Sequence, residues 1–409
     1  MKHIYIFNHT KSKGYVFGVG TYIRQLLQMK HDGFAMHIVQ LNANVDEVTV
    51  ETKEDVEEIL FPKPILTPQD QILYPEYHTS VIRILRHYID NTADNIFHLN
   101  NVNNSSLAKS IKRYLHGKTV LTIHYSQSLF DLKGNICNLH EIIQSPVNDD
   151  DPPLYASVRN EIINTSEMIE QYVDKVISIA HHSFLQNNEI YRINNKKNIL
   201  IYNTLCDELD NNLNKVTELK KELGIHCSEK IIIYAGRLDE IKGVQCLLQA
   251  LSILKEKGLQ FHLFIAGSGH FEATIDFVRD LYTNITFTGL LSKDKLYQLY
   301  SVADIGVFPS LYEEFGYVIL EMMMHRLPVV AYRTSGPAEI VEDGHTGLLA
   351  ELSFDQQEQS IRSFAEKIER LLVDPDECRR MGSAGRERFL KYFSKKTFKK
   401  KMNRLYSSL

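Results

Sequence analysis

The sequence predicts an α/β protein made of two doubly wound, mostly parallel sheets. Short apolar runs of strand length alternate with stretches of helical periodicity, the pattern of parallel strands joined by crossover helices. Two of these units, one early and one late in the chain, place ligand-competent groups just after a strand, which is the binding edge of an open α/β sheet. The length of 409 residues allows two domains, each with its own core. With 44% apolar and 24% charged residues, the composition is that of an ordinary soluble protein. A formal charge of −5 argues against nucleic acid as the main partner. The five cysteines (Cys137, Cys206, Cys227, Cys246, Cys378) are scattered without metal-type spacing and read as reduced thiols. No signal peptide precedes the first strand and no apolar run reaches membrane-span length, so a cytoplasmic protein is expected.

In the first half, an apolar strand over residues 3–8 leads into Gly14, Gly18 and Gly20, and helical spacing follows over 21–29. Gly18 and Gly20 would let a ligand approach the backbone, although the third glycine of a dinucleotide site is missing. Further strands are expected at 34–41, 95–99, 119–124, 175–179 and 198–202, with helices at 80–91 and 105–116. His98 and His124 each end a strand. Residues 125–155 break the rhythm with Gly134, Pro146, Pro152 and Pro153, and carry the run Asp149-Asp150-Asp151. Among prolines, that run reads as a solvated loop rather than a metal site.

Residues 203–230 are polar, with one short helical piece at 216–223, and fit an interdomain linker. The segment 231–243, IIIYAGRLDEIKG, is a buried strand ending in Gly236-Arg237, with Lys242 just before a helix over 244–254. Two cations at such a turn suit a diphosphate, Arg forking onto oxygens and Lys acting as a point charge. Strands at 261–266 and 285–288 end in Gly267 and in Gly289-Leu290. The segment 307–321, VFPSLYEEFGYVILE, then joins a strand to an acidic loop and a helix. Glu313 lies in the loop, and Glu321 just over one turn into the helix, behind Phe315-Gly316-Tyr317-Val318. Carboxylates accept hydrogen bonds from vicinal hydroxyls, and helix N-terminal amides favour anions, so the two together describe a sugar nucleotide. Met322, Met323 and Met324 read as core. Residues 327–332 form a further strand, and 335–339 a turn with amides near the phosphates. A helix spans 361–372, and the tail 386–404 is rich in Lys and Arg interleaved with Phe389, Tyr392, Phe393 and Phe398.

Glu313 and Glu321, with Phe315-Gly316 between them, resemble the signature of retaining glycosyltransferases of the GT-B architecture. Gly236-Arg237, Lys242-Gly243, Thr122-Ile123-His124 and 343–349 (DGHTGLL) match that family in order. The resemblance implies two Rossmann-like domains facing each other across a deep cleft. It divides the chain into an acceptor domain at 1–203, with 125–155 as a lid insertion over the acceptor, and a linker at 204–229. A nucleotide-sugar domain at 230–380 and a C-terminal helix at 381–409 crossing back to the first domain complete it. It gives Glu313 the donor sugar, Glu321 the ribose, and His124 (His98 as second choice) the donor sugar and acceptor. Arg237 and Lys242 clamp the diphosphate, Gly18, Gly20, Gly236, Gly267, Phe315, Gly316, Tyr317 and Val318 line the donor, and Gly289 and Leu290 meet the base through main chain. Two departures stand out: Asn203-Thr204 where Asn-Gly is common, and Arg326 where Gly is usual.

The implied activity is transfer of a sugar from a UDP-, GDP- or ADP-sugar to a hydroxyl of a glycan, a lipid-linked acceptor or a peptide, with retained configuration. No metal and no cofactor are expected, since the two cations stand where a metal would otherwise serve. A sugar-nucleotide epimerase on the same scaffold and an inactive sugar-nucleotide-binding subunit are the alternatives. The basic aromatic tail either packs on the first domain or touches an anionic membrane. Base, sugar, acceptor and oligomeric state are not legible in the sequence.

Overall fold

A computed structural model describes residues 1–9, 18–28, 33–64, 74–100, 104–148, 150–209, 220–222 and 229–409. Gly14, the expected helix end at Met29, the helical piece at 216–223 apart from 220–222, Cys227 and Asp149 lie outside the described residues. The chain divides into two compact units: Met1–Asp131, Cys137–Asn203 and Lys395–Leu409 form the first, and Leu132–Ile136 with Thr204–Ser394 the second.

The first unit is built on strands β1 (Lys2–His9), β2 (Phe34–Ala43), β3 (Thr49–Lys53), β4 (Val56–Pro62), β5 (Asn95–Leu99), β6 (Lys118–Ile123), β7 (Lys175–Ser178) and β8 (Asn198–Leu200). Their order is β3-β4-β2-β1-β5-β6-β7-β8, parallel except for the β3–β4 pair. That hairpin is absent from the sequence expectation. It turns on Glu54 and Asp55, both at positive φ (49° and 65°), a conformation normally signalled by Asn or Gly. β1 is apolar at Ile4, Tyr5, Ile6 and Phe7, all buried, as a strand covered on both faces must be.

Residues 125–155, expected as a lid insertion, are largely helical rather than a solvated loop. They contain the helices Gln127–Asp131 and Ile136–Gln144 and lead into Pro153–Tyr172, with Leu129, Leu139 and Ile142 buried. Arg159 ties this region down by pairing with Asp151 at 2.5 Å and donating to the Ile142 carbonyl at 3.0 Å.

The C-terminal region also departs from expectation. Instead of one crossing helix over 381–409 there are two, Pro375–Tyr392 and Lys395–Ser408, and only the second belongs to the first unit. The break falls where the Phe393 carbonyl accepts the Thr204 hydroxyl at 2.7 Å instead of a helical amide. That bond also gives a use for Thr204 in place of the usual glycine. Residues 204–209 of the expected linker likewise belong to the second unit, where Asp207 holds Arg386 through two bonds of 2.8 and 2.5 Å. The helix Lys395–Ser408 buries Phe398, Met402, Leu405 and Tyr406 inside the first unit, so its apolar face is already covered by protein. Among the described residues, no helix is long and apolar enough to cross a membrane.

The second unit carries β9 (Ile231–Ala235), β10 (His262–Ala266), β11 (Ile285–Gly289), β12 (Ile305–Phe308), β13 (Val329–Tyr332) and β14 (Gly347–Ala350), all parallel in the order β11-β10-β9-β12-β13-β14. Helices Val244–Glu256 and Gln357–Val373 cover one face through Leu247, Leu251, Phe364 and Ile368. Helix Tyr317–Met324 supplies the fully buried Met322, Met323 and Met324, the core residues the sequence suggests. Arg326 adopts φ 60°, the left-handed conformation in which glycine is unstrained, so the substitution keeps the backbone path that glycine would take. Replacing Phe398 by Ala removes a buried ring that meets Tyr22 edge-on at 5.7 Å. It should destabilise the first unit by about 3–4 kcal/mol, read as a lower urea midpoint of the full chain.

Candidate active site

In the second sheet β9 and β12 are neighbours although β10 and β11 intervene in sequence. The chain therefore reverses its winding between them, and the crevice outside their carboxyl ends is the switch point where such sheets bind ligands. The turn after β9 carries Gly236, Arg237, the single 3-10 turn Glu240–Lys242, and Gly243. The turn after β12 carries Pro309, Ser310 and the acidic loop. Main chain stitches the two together, with the Leu311 amide donating to the Ile241 carbonyl at 2.9 Å. Gly243, at φ 66°, is needed there, since a Cβ on it would lie 2.0 Å from the Pro309 carbonyl oxygen.

This seam brings Lys242 and Glu313 into contact, Nζ donating to Oε2 at 2.5 Å. Their side chains are 20% and 25% exposed, whereas Arg237 is 42% exposed and pairs with Asp239 at 3.0 Å. So the lysine and glutamate are mutually shielded, and the arginine remains open to an incoming anion. Tyr234, missed in the sequence reading, holds the arginine's main chain by donating its hydroxyl to the Arg237 carbonyl at 2.6 Å. Its only signal is a polar tip within an otherwise apolar strand. Gly267 packs so closely on this turn that a Cβ would lie 1.8 Å from the Gly236 carbonyl oxygen.

The expectation that residues 335–339 offer free amides needs correcting at Gly336, whose amide donates to the Glu313 carbonyl at 2.9 Å. This bond joins a third turn to the site. Phe315 is buried, Gly316 caps helix Tyr317–Met324 at φ 98°, and Tyr317 and Val318 form its first turn. At the end of β11 the Gly289 carbonyl accepts the Gly267 amide at 2.9 Å, and the Leu290 side chain is 63% exposed.

Glu321 occupies a niche of its own. Tyr300 donates its hydroxyl to Oε2 at 3.3 Å, and His325, whose Nδ1 contacts the Glu321 carbonyl oxygen at 2.8 Å, packs edge-on to Tyr297. Lys293 pairs with Glu208 at 2.6 Å close by. Burial pushes the Glu321 carboxyl up to about 7, against the weaker pull of the Tyr300 bond and Lys293, with the Glu208 charge adding to the rise. None of Tyr300, Lys293 and Glu208 was among the sequence candidates, because they come from a helix and a linker remote from the motif.

In the first unit Gly18 and Gly20 lie in the first turn of helix Gly18–Leu27, not in a loop, and a Cβ on Gly20 would meet open space. His124 touches Asn100 Oδ1 at 3.1 Å and meets the Tyr22 ring edge-on at 4.8 Å. Burial and the neighbouring His98 lower it to about 3, so it is a neutral imidazole at ordinary pH. His98 is fully buried between Tyr406 and Thr122, both at 2.7 Å, which makes it structural. Among the described residues no cluster of three His, Cys, Asp or Glu side chains could hold a metal ion.

Residues 215–388 match the family described as "Glycosyl transferases group 1". Over 167 residues the chain is 34% identical to an alpha-D-kanosaminyltransferase of Streptomyces kanamyceticus, covering 40% of this chain and 42% of that protein. The chain thus spans less than half the length of this relative. The whole chain superposes on sucrose-phosphate synthase from Thermosynechococcus elongatus with a TM-score of 0.74 at 20% identity, covering 100% of this chain and 99% of that one. It also superposes on Anabaena Alr3699/HepE in complex with UDP, with a TM-score of 0.72 at 17% identity and 100% of both chains covered. At these identities the likeness to the solved structures is one of fold.

A carboxyl raised from its ordinary value to about 7 binds its proton more tightly in the folded state. Stability therefore falls as pH rises between about 4.5 and 7, where the folded chain holds a proton that the unfolded chain has released. Glu321→Gln removes this titration. The variant should be more stable than the wild type at pH 8, by on the order of 2 kcal/mol, and the difference should shrink towards pH 5 in thermal melts.

Proposed function

We propose, from the match of residues 215–388 to the group 1 glycosyl transferases, that the protein is a glycosyltransferase that moves a sugar from a nucleoside-diphosphate sugar to an acceptor hydroxyl. One observation carries this reading: a lysine and a glutamate from adjacent strand ends meet at the switch point of the second sheet, beside an open arginine. In this reading Arg237 and Lys242, with the first-turn amides of Tyr317–Met324, bear the charge that grows on the departing diphosphate. Glu313, held by Lys242, accepts hydrogen bonds from the sugar hydroxyls. Glu321 does the same for the ribose, and Gly289 and Leu290 offer main chain to the base.

Glu321 then has a further consequence. Ribose hydroxyls donate best to a carboxylate, so nucleotide binding below pH 7 displaces the proton that burial holds there. Retention of configuration, with the acceptor attacking the sugar on the face the diphosphate leaves and a phosphate oxygen taking the acceptor proton, is the mechanism we adopt. It requires no protein nucleophile, and we assign none. Neutral His124, at the carboxyl edge of the first sheet, is given to the acceptor as a hydrogen-bonding group. Neither a metal nor a cofactor is assigned a step. The UDP bound by the Anabaena protein supports UDP-sugars as the first donors to try. The acceptor is taken to be a glycan or a lipid-linked or peptide hydroxyl.

Arg237 makes an exposed ion pair, which contributes little to stability. Arg237→Ala should therefore melt like the wild type, yet lose roughly 100-fold or more in turnover of the UDP-, GDP- or ADP-sugar that most raises the melting temperature in a ligand screen. Unchanged turnover would remove Arg237 from the diphosphate site.

A further inference from the structure

Residues Leu132–Ile136 belong to the second unit, although the chain before and after them belongs to the first. They contain a tight turn, in which the Asn135 amide donates to the Leu132 carbonyl at 3.0 Å. Its two central residues, Lys133 and Gly134, both have positive φ (52° and 85°). That is the sign pattern of a type I′ turn, whose usual occupants are Asn-Gly and Asp-Gly. Lysine gains nothing locally from the left-handed conformation, so its surroundings must hold it there.

The tip of this finger touches both turns of the candidate site. On the turn after β9, Lys133 Nζ donates to Glu240 Oε1 at 2.6 Å, a pairing across 107 residues of sequence. The other ion pairs of that turn stay within the site, Arg237 with Asp239 and Lys242 with Glu313. On the turn after β12, Gly134 lies against Tyr312. A Cβ at 134 would stand 3.0 Å from both Cβ and Cδ2 of Tyr312, and 3.3 Å from the Leu311 carbonyl oxygen. At φ 85° as well, glycine alone fits there without displacing the acidic loop. Tyr312 is itself buried and donates its hydroxyl to Glu314. Its carbonyl oxygen lies 3.0 Å from the Ser310 hydroxyl, which is also 3.3 Å from the Ile241 carbonyl oxygen. Leu132, which opens the finger, is buried too.

Lys133 and Glu240 are 50% and 66% exposed, and such a pair contributes little to global stability. Its placement matters more than its strength. Glu240 and Lys242 share a single 3-10 turn, and Tyr312 directly precedes Glu313. We propose that residues 132–136 position the donor site. Lys133 holds the cationic turn, Gly134 holds the acidic loop, and together they set the spacing at which Lys242 meets Glu313. The role rests on the glycosyltransferase reading above. Lys133 and Gly134 act through Glu240 and Tyr312, so they are positioning residues. A displaced charge pair is felt most where charge develops, and its cost falls on turnover rather than on ground-state binding.

Two measurements on the full chain test the proposal together: amide hydrogen exchange without ligand, and turnover of the UDP-, GDP- or ADP-sugar that most stabilises the wild type. Lys133→Asn supplies the Asn-Gly pair that the turn favours but deletes the ammonium group, separating the turn from its anchor. It should melt like the wild type and exchange roughly threefold faster at 240–243 and 309–313. Its kcat should fall roughly fivefold, with the donor KM little changed. Lys133→Arg should restore both, and Gly134→Ala should cost roughly 10-fold or more in kcat with a larger rise in exchange. Wild-type exchange in both Lys133→Asn and Gly134→Ala would overturn the proposal. Faster exchange with wild-type kcat would make the finger merely structural and overturn it equally. A lower kcat at unchanged exchange would assign Lys133 to the substrate itself, again against the proposal. If the wild type turns over no sugar nucleotide, the glycosyltransferase reading falls, and exchange alone decides whether the finger braces the two turns.

Discussion

Everything at the candidate site depends on how closely two turns of the second sheet approach each other. β9 and β12 are adjacent strands, and their outgoing loops are laced by the Leu311 amide on the Ile241 carbonyl. A glycine at 243 is the steric condition for this, because any side chain there would collide with the Pro309 carbonyl. Lys242 follows directly from that contact, being one residue before the glycine, and it reaches Glu313 only because the loops touch. A sheet with another strand order would separate the same residues. Topology, more than the identity of either side chain, makes the pair.

Two carboxylates of one motif end in opposite environments. Glu313 is neutralised by a lysine at 2.5 Å, whereas Glu321 is walled by tyrosines and a histidine and keeps its proton to about pH 7. Surroundings of this kind let chemically identical groups serve different ends. The buried histidine of the first unit shows the complementary case. His98 is bonded on both nitrogens by Tyr406 and Thr122, and burial lowers it to about 3, so it works as a neutral strut.

Strands buried on both faces were the most legible elements. Residues 231–235 and 305–308 are strands with the bounds the apolar runs suggest, because a two-sided burial demands an unbroken run. Arg237, Lys242 and Glu313 could be named because each lies in the turn that leaves such a strand, and Glu321 from its spacing after Glu313. The β3–β4 hairpin was hidden by a charged sequence turning on Glu54-Asp55, and the helices within 125–155 by prolines that suggest a loop. The partners of Glu321 were hidden for another reason: Tyr300 and Glu208 are local neighbours only in space, and no spacing rule connects them to the motif. The glycines at 18 and 20 resemble a loop in sequence, yet they open a helix. The break at Phe393 depends on a hydroxyl from residue 204, a contact invisible to any local pattern.

The assignment of Lys395–Ser408 to the first unit bears on the order in which the protein is made. Phe398 closes on Tyr22, and Tyr406 on His98, yet both arise after the whole of the second unit. A ribosome delivers the sheet of the first unit long before its last helix, so the early nascent chain carries an open seam at Tyr22 and His98. The second unit must emerge, and has time to fold, before that seam can be sealed. Maturation of the amino-terminal half is thus timed by the completion of the carboxyl-terminal half.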